Sequence, residues 1–185
     1  MASPNPNLTF DDYVKNLRFS RLVEAETLTA ALADFASCRP STRGVEEFGR
    51  FLIDRNLITL WHHRRLAAGY AKGFFLGQYK LLRRLGAGGM GSVYLAEHRE
   101  MRRLAALKVV SAEQVSHMAI ERFRRESQIV AALDHPHIVR AHDFNRDGKY
   151  HFLVMEYLEG IDLDRYVKRR GPLSPRRAAD LIGKA

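Results

Sequence analysis

A glycine cluster in the middle of the chain has the residue types and spacing to bind a phosphate-bearing ligand. Residues 86–93 read Gly-Ala-Gly-Gly-Met-Gly-Ser-Val, and Gly86, Gly88 and Gly91 follow the spacing G-x-G-x-x-G. Glycine has no side chain, so backbone N–H groups beside it can approach phosphate oxygens closely. The cluster therefore indicates a nucleotide site, with a glycine-rich hairpin that binds nothing as the alternative.

The residues that flank the cluster exclude two other nucleotide-binding loops. A dinucleotide-binding loop opens a helix and has an acidic residue about 20 positions later. Here Ser92 begins an alternating, strand-like run, and Ala-Ala-Leu-Lys occupies residues 105–108. A Walker A loop needs Gly-Lys-Ser or Gly-Lys-Thr, and the sequence contains neither.

A lysine on the next strand and a glutamate on the following helix extend the pattern. Ala-Ala-Leu-Lys, ending at Lys108, resembles the V-A-I-K strand of protein kinases. In that family the lysine contacts the α- and β-phosphates of ATP and pairs with a helix glutamate. The resemblance implies Glu126, in Arg-Arg-Glu-Ser-Gln, as the partner, with Glu121 as the competing choice. Gly-Ala-Gly-Gly-Met-Gly is most similar to the bacterial, eukaryotic-like serine/threonine kinases.

The resemblance continues to the segment that joins the two kinase lobes. Asp-His-Pro-His at residues 134–137 is similar to the family's turn after the helix, and residues 152–160 are similar to its fifth strand and hinge. The resemblance implies that Met155 is the gatekeeper and that the backbone of Glu156 and Leu158 binds the adenine edge. It implies catalytic roles for Lys108 and Glu126. The ATP site that it implies comprises Leu85, Gly86, Ala87, Gly88, Gly89, Met90, Gly91, Ser92, Val93, Ala106, Lys108, Met155, Glu156, Leu158 and, at the ribose, Asp162.

Other parts of the kinase machinery do not occur in this sequence. The family uses an aspartate that accepts the substrate proton, and an asparagine and an Asp-Phe-Gly aspartate that hold Mg²⁺. No His-Arg-Asp and no Asp-Phe-Gly follows Glu156. We expect a truncated serine/threonine kinase that uses ATP and Mg²⁺, with the Mg²⁺ ligands in the missing lobe, and that is inactive alone. The alternative is a non-catalytic, pseudokinase-like nucleotide-binding or scaffolding protein.

The elements that must position these residues form an α+β fold. Alternating apolar residues predict five strands, and helical spacing predicts one helix between the third and fourth strands. We expect a kinase-like N-terminal lobe, with a five-stranded antiparallel sheet and one helix, and the first helices of an incomplete C-terminal lobe, all within a domain at residues 78–185. The predicted strands are 79–85, 92–97, 104–110, 138–144 and 150–155, and the helices are 119–133, 163–169 and 176–184.

Residues 1–76 have a different, helical pattern. Apolar residues recur at spacings of three and four, and the segment 10–35 resembles the segment 45–70 at an offset of 35 residues. We therefore expect an all-helical module of two hairpin-like repeats, able to fold alone, that regulates the kinase or docks a protein partner. His62 and His63 are expected on a helix face and Trp61 in the core.

Composition limits the remaining functions. The net charge is +9, and residues 78–185 carry 20 basic and 13 acidic side chains in alternating clusters without interleaved aromatics, which argues against nucleic-acid binding. No run approaches the roughly 18 apolar residues that span a bilayer. Cys38 is the single cysteine, which favours the cytoplasm. The histidine pair at 135 and 137 lacks further ligands, so no metal site is expected, and the expected partners are protein substrates.

Overall fold

The computed structural model describes residues 5–38, 44–88, 91–113 and 115–184. The fold is α+β, with helices first and then a curled antiparallel sheet, as expected from the sequence. The hydrogen-bonded strand order is β1-β2-β3-β4-β6-β5. The elements are α1 Phe10–Ser20, α2 Ala25–Cys38, α3 Val45–Asp54, α4 Leu60–Ala67, β1 Phe75–Leu76, β2 Tyr79–Gly88, β3 Gly91–His98, β4 Leu104–Ser111, α5 His117–Ala131, β5 Ala141–Asp147, β6 Tyr150–Glu156, α6 Leu163–Arg170 and α7 Pro175–Gly183.

The sheet has six strands, so the prediction of five was wrong. The additional strand, β1, has two residues, which pair antiparallel with β2 as Phe75↔Lys80 and Leu76↔Tyr79. Gly77 provides the positive φ of 52° in the short turn between them. Alternation over four to eight residues is the sequence signal for a strand, and a two-residue strand is too short to show it.

The chain divides into two compact units, residues 1–86 with 94–103, and residues 87–93 with 104–185. The first unit therefore contains the four N-terminal helices together with β1 and most of β2. The predicted domain boundary near residue 77 stays a prediction. The first compact unit extends past that residue, to residue 86. Within the described ranges, no helix combines the length and the apolar character needed to cross a membrane.

The first four helices repeat at the offset seen in the sequence. The starts of α1 and α3 are 35 residues apart, as are the starts of α2 and α4. Arg21 and Asn56, also 35 residues apart, both have φ 56° in the turn after the first helix of each hairpin. Equivalent positions are fully buried in both hairpins, namely Tyr13 and Phe48, and Leu17 and Leu52.

The hairpins share one aromatic and aliphatic core. Phe35 lies at its centre, with ring centroids 5.0 Å from Phe48 and 5.3 Å from Phe51. Burial of such side chains stabilises a fold by about 1.5–3 kcal/mol each. The core extends to Phe74, just before β1, so the helices and the start of the sheet are packed together.

A polar chain, buried at Tyr13 and His63 and exposed at Glu46, joins three of the helices. With the His63 ring neutral, the Tyr13 hydroxyl donates to Nδ1 (3.0 Å), and Nε2–H donates to the Glu46 carboxylate (3.1 Å). Burial, with a smaller effect of the Glu46 charge, raises the pKa of Tyr13. A Cβ atom at Gly49 would overlap the His63 ring, so α3 needs glycine there for the ring to approach.

The N-terminus of α4 is hydrogen-bonded to strand β2 through two side chains. The Thr59 hydroxyl donates to the Leu82 carbonyl (2.7 Å) and accepts from the His62 backbone N–H (3.2 Å). The His62 ring accepts at Nδ1 from the Thr59 N–H (3.1 Å) and donates from Nε2 to the Leu81 carbonyl (2.5 Å). His62 is fully buried, and burial, with a minor contribution from Lys80, lowers its pKa to about 4 although the Leu81 bond opposes this.

The second unit is built on β4, β6 and β5. Strand β4 pairs antiparallel with β6, placing Lys108 opposite Leu153, and β6 pairs antiparallel with β5. Helix α5 packs on this sheet through Phe123, which lies in one core with Val110 and Leu153. These contacts position α5 beside the strand that carries Lys108.

Acidification should weaken the fold through His62. Between pH 6.5, the ordinary pKa of histidine, and about 4, the unfolded chain binds a proton that the folded ring excludes, so stability falls as pH falls through this window. The full loss amounts to about 3 kcal/mol. In His62→Gln the amide can accept from Thr59 and donate to Leu81 without titrating. Urea unfolding near pH 7.5 and near pH 4.5 should show a smaller acid loss for His62→Gln, and equal losses would contradict this account.

A fragment that ends before β2 should be less stable than one that includes the β2–β3 hairpin. Residues 1–76 lack the two carbonyl acceptors of Thr59 and His62 and lack the buried Leu81 side chain. Restoring them in residues 1–103 should raise the free energy of unfolding by about 3 kcal/mol. Circular dichroism during urea unfolding measures both fragments. Equal midpoints would show that the helices do not depend on β2.

Candidate functional site

The described glycines of the cluster occupy two kinds of environment. Gly86 and Gly88, at the end of β2, are exposed, and an added Cβ atom would meet nothing within 4 Å. Gly91, at the start of β3, has φ 147°, and an added Cβ atom would overlap the Val109 carbonyl oxygen. Gly91 is therefore required for packing, whereas Gly86 and Gly88 leave open space beside the backbone. Of the other predicted loop residues, Ala87 is exposed, Leu85, Ser92 and Val93 are half-buried, and Gly89 and Met90 lie outside the described residues.

Lys108 lies on β4 with its ammonium group beside an aromatic ring. Its Nζ atom is 5.5 Å from the ring centroid of Phe123 on α5, within the range of a cation–π interaction. The lysine side chain is half-buried, while Phe123 is fully buried. The sequence analysis did not identify Phe123 as a neighbour of Lys108, although its position on the predicted helix, three residues before Glu126, was visible.

The pair implied between Lys108 and Glu126 is not formed in this structure. Both side chains are half-buried, but within the described ranges no carboxylate lies within 4 Å of the Lys108 ammonium. Glu121 lies near His151 instead, where its charge opposes the lowering of the His151 pKa by burial and by Arg146. His151 pairs with Val110, two residues beyond Lys108. The Lys108 ammonium is thus without an anionic partner among the described residues.

The predicted hinge begins at the end of β6. Met155 is half-buried and pairs with the buried Ala106 on β4. The Glu156 backbone N–H donates to the Arg140 carbonyl (3.0 Å), and the Glu156 carboxylate accepts from the Arg140 N–H (2.7 Å). The backbone of Arg140, just before β5, is therefore hydrogen-bonded to Glu156 at the start of the hinge. No pattern in the sequence indicated this contact.

The next two predicted residues are exposed. Leu158 is 62% exposed, and its backbone N–H has no hydrogen-bond partner in the described part of the chain. The Asp162 carboxylate caps α6, where it accepts from the Arg165 backbone N–H at 2.7 Å. The structure thus gives Asp162 a local structural role, for which an aspartate directly before a helical run is the usual signal.

Two features of the second unit suit an anionic ligand. The backbone at Gly88 is open, and no carboxylate among the described residues lies within 4 Å of the Lys108 ammonium, which leaves this cation able to bind a phosphate oxygen. In the described residues, no group of three or more His, Cys, Asp and Glu side chains is placed to hold a metal ion.

Comparison with known proteins shows what the sequence is similar to. The model of the protein kinase domain family matches residues 79–184, more than half of the chain. Serine/threonine-protein kinase PrkC of Bacillus subtilis is 43% identical over 63 residues, and serine/threonine-protein kinase PknH of Mycobacterium bovis is 45% identical over 62 residues. Each match covers 34% of this chain and 10% of the relative's length.

The two environments of the glycines predict that alanine destabilises the fold at one position and is tolerated at the other. Gly91→Ala should lower the free energy of unfolding by about 2 kcal/mol or more, because β3 must move away from Val109. Gly88→Ala should change it by no more than about 0.5 kcal/mol. Urea unfolding of both variants measures the difference, and a tolerated alanine at position 91 would exclude the close approach described here.

Proposed function

Because the chain belongs to the protein kinase family, we propose that residues 78–185 are the ATP-binding part of a serine/threonine kinase. The complete enzyme transfers the γ-phosphate of ATP to serine and threonine hydroxyls of protein substrates. The names of PrkC and PknH support the choice of serine and threonine. With ATP as the phosphate donor, we place this activity in the cytoplasm.

The observation that carries the proposal is the Lys108 ammonium, which lies over Phe123 with no carboxylate of the described residues within 4 Å. A partly buried cation without an anionic partner favours a bound anion, since a charge-assisted hydrogen bond is stronger than a neutral one. The glycine-rich loop supplies backbone N–H donors and no side chain at Gly86 and Gly88. Together these groups bind phosphate oxygens and hold the γ-phosphate in place.

The remaining site residues bind the nucleoside. Ala106 and Met155 face each other across β4 and β6, and with Leu85 and Val93 they supply apolar surface for the purine. The N–H of Leu158, together with the backbone of Glu156, binds the adenine edge. Asp162 binds a ribose hydroxyl. None of these groups reacts, so their contribution is orientation of the nucleotide.

Glu126 acts through Lys108. Movement of α5 that brings the Glu126 carboxylate to the ammonium replaces the Phe123 contact by an ion pair and fixes the lysine for phosphate binding. Mg²⁺ bound with ATP supplies charge neutralisation at the phosphates. The family's Mg²⁺ ligands do not occur in this sequence, and we assign no residue of this chain to the metal.

The missing catalytic motifs support two further statements. We propose that the 185-residue chain alone does not transfer phosphate, because its sequence has neither a His-Arg-Asp nor an Asp-Phe-Gly motif after Glu156. The second candidate function is non-catalytic nucleotide binding or scaffolding of the pseudokinase type, which the unformed Lys108–Glu126 pair favours. For either function, we propose that the helical module binds a protein partner.

Replacement of Lys108 tests the proposal. Lys108→Met should weaken ATP binding to the chain by roughly 10-fold or more, the effect of losing one charge-assisted contact. Lys168→Met is the matched control, since that exposed lysine pairs with Asp164 on α6. Calorimetric titration with ATP measures both. Equal affinity in the two variants would remove Lys108 from the site.

Phosphate transfer is measured separately. The purified chain, Mg-ATP labelled at the γ-phosphate and a generic basic protein should give no incorporation above that of Lys108→Met. Incorporation above this control would overturn the proposed inactivity of the isolated chain.

A further inference from the structure

We propose that the helical module, α1–α4, is a positioning element for the glycine-rich loop, acting through Thr59 and His62 on strand β2. The inference rests on the proposed function, in which this loop binds the phosphates of ATP. It assigns to the module a direct mechanical role within the kinase domain, beyond docking of a partner.

Two adjacent carbonyl groups of β2 carry the first contact. The Thr59 hydroxyl bonds the Leu82 carbonyl at 2.7 Å, and the His62 ring bonds the Leu81 carbonyl at 2.5 Å. Leu82 is four residues before Gly86, the first glycine of the loop. The same two side chains also form the reciprocal capping pair of α4, so each of them bonds both the helix end and β2.

The strand that leaves the loop contacts the same helix. The Trp61 ring lies 5.9 Å from the ring of Tyr94 on β3 and 6.0 Å from that of Phe74, both in edge-on geometry. Tyr94 is three residues after Gly91. Helix α4 therefore holds the strands on both sides of the loop, with hydrogen bonds before it and an aromatic contact after it.

The first hairpin adds a third point of attachment. The Lys80 ammonium donates to the Leu22 carbonyl in the turn between α1 and α2 at 3.1 Å. Burial lowers the pKa of Lys80, consistent with a contact that is partly shielded from water. Leu81, the next residue, is 6% exposed and donates its N–H to the Phe74 carbonyl at 2.8 Å.

These contacts hold the strands that lead into and out of the loop. A two-stranded hairpin alone is marginally stable, and the ordering of flexible backbone on binding opposes affinity. Strands already held at Leu81, Leu82 and Tyr94 lose less freedom when ATP binds. By linkage, a bound nucleotide in turn strengthens the contacts of the module with β2. Thr59 and His62 are thus positioning residues that touch no nucleotide.

Matched pairs of variants test the link. Thr59→Val keeps the shape but removes the hydroxyl, whereas Thr59→Ser keeps the hydroxyl. His62→Leu removes both ring hydrogen bonds, whereas a glutamine at this position can make them. Leu17→Ala is the stability control, because Leu17 is buried among the helices and makes no bond to β2.

Hydrogen exchange of the complete 185-residue chain gives the direct readout. In Thr59→Val and His62→Leu, amides of residues 81–96 should exchange roughly tenfold faster, the effect of about one lost hydrogen bond. Thr59→Ser and His62→Gln should exchange like the parent chain. Under conditions where Leu17→Ala remains folded, it should accelerate exchange in the helices more than in residues 81–96. Equal acceleration by Thr59→Val and Leu17→Ala across both regions would reduce Thr59 to a stability residue and overturn the proposal.

Nucleotide titration separates this inference from the proposed function. Thr59→Val should raise the dissociation constant for ATP about threefold to tenfold, and Thr59→Ser should restore it. If the parent chain does not bind ATP, the proposed function fails, while the exchange comparison still decides whether the module holds the loop. If ATP binds equally to Thr59→Val and the parent chain, the loop does not depend on the module and the inference fails.

Discussion

The N-terminal end of α4 depends on a histidine that is kept neutral by burial. His62 uses one ring nitrogen as acceptor for the helix cap and the other as donor to β2, so only the neutral ring can make both bonds. Because the ring is buried and bonds both elements, the packing of α4 and the position of β2 depend on each other. With β2 placed against the helices, Trp61 packs against Phe74 and the Lys80 ammonium reaches the Leu22 carbonyl.

In the second unit the comparable constraint is close approach of backbone at Gly91. The Gly91 backbone lies so close to the Val109 carbonyl oxygen that no side chain fits between them, and β3 therefore needs glycine at this position. Lys108 lies one residue before Val109 on β4. The pair between Lys108 and Glu126 that the proposed function requires is not formed, so the proposal requires a movement of α5.

Much of the architecture was visible in the sequence because the signals are local. Alternation and helical spacing predicted the helices and the longer strands, and the motif order identified the kinase family. The burial of His62 and His63 was not predictable, since two adjacent histidines on a helix give no sign that a β2 carbonyl and Tyr13 will satisfy their rings. The neighbour of Lys108 was missed for the same reason. Whether Phe123 or Glu126 reaches the ammonium depends on the position of α5, which tertiary packing decides.

The two edges of the sheet affect how the protein behaves at high concentration. Strand β1 is only two residues long, and β5, at the other edge, has a register shift between Ala141 and Asp143 and mostly exposed polar side chains. An edge strand recruits another chain when it is long, flat and apolar, because its unpaired N–H and C=O groups then form a template. Neither β1 nor β5 has these properties, and next to β1 the Leu81 and Leu82 carbonyls of β2 are occupied by α4, so both edge strands are poor templates for the addition of another chain.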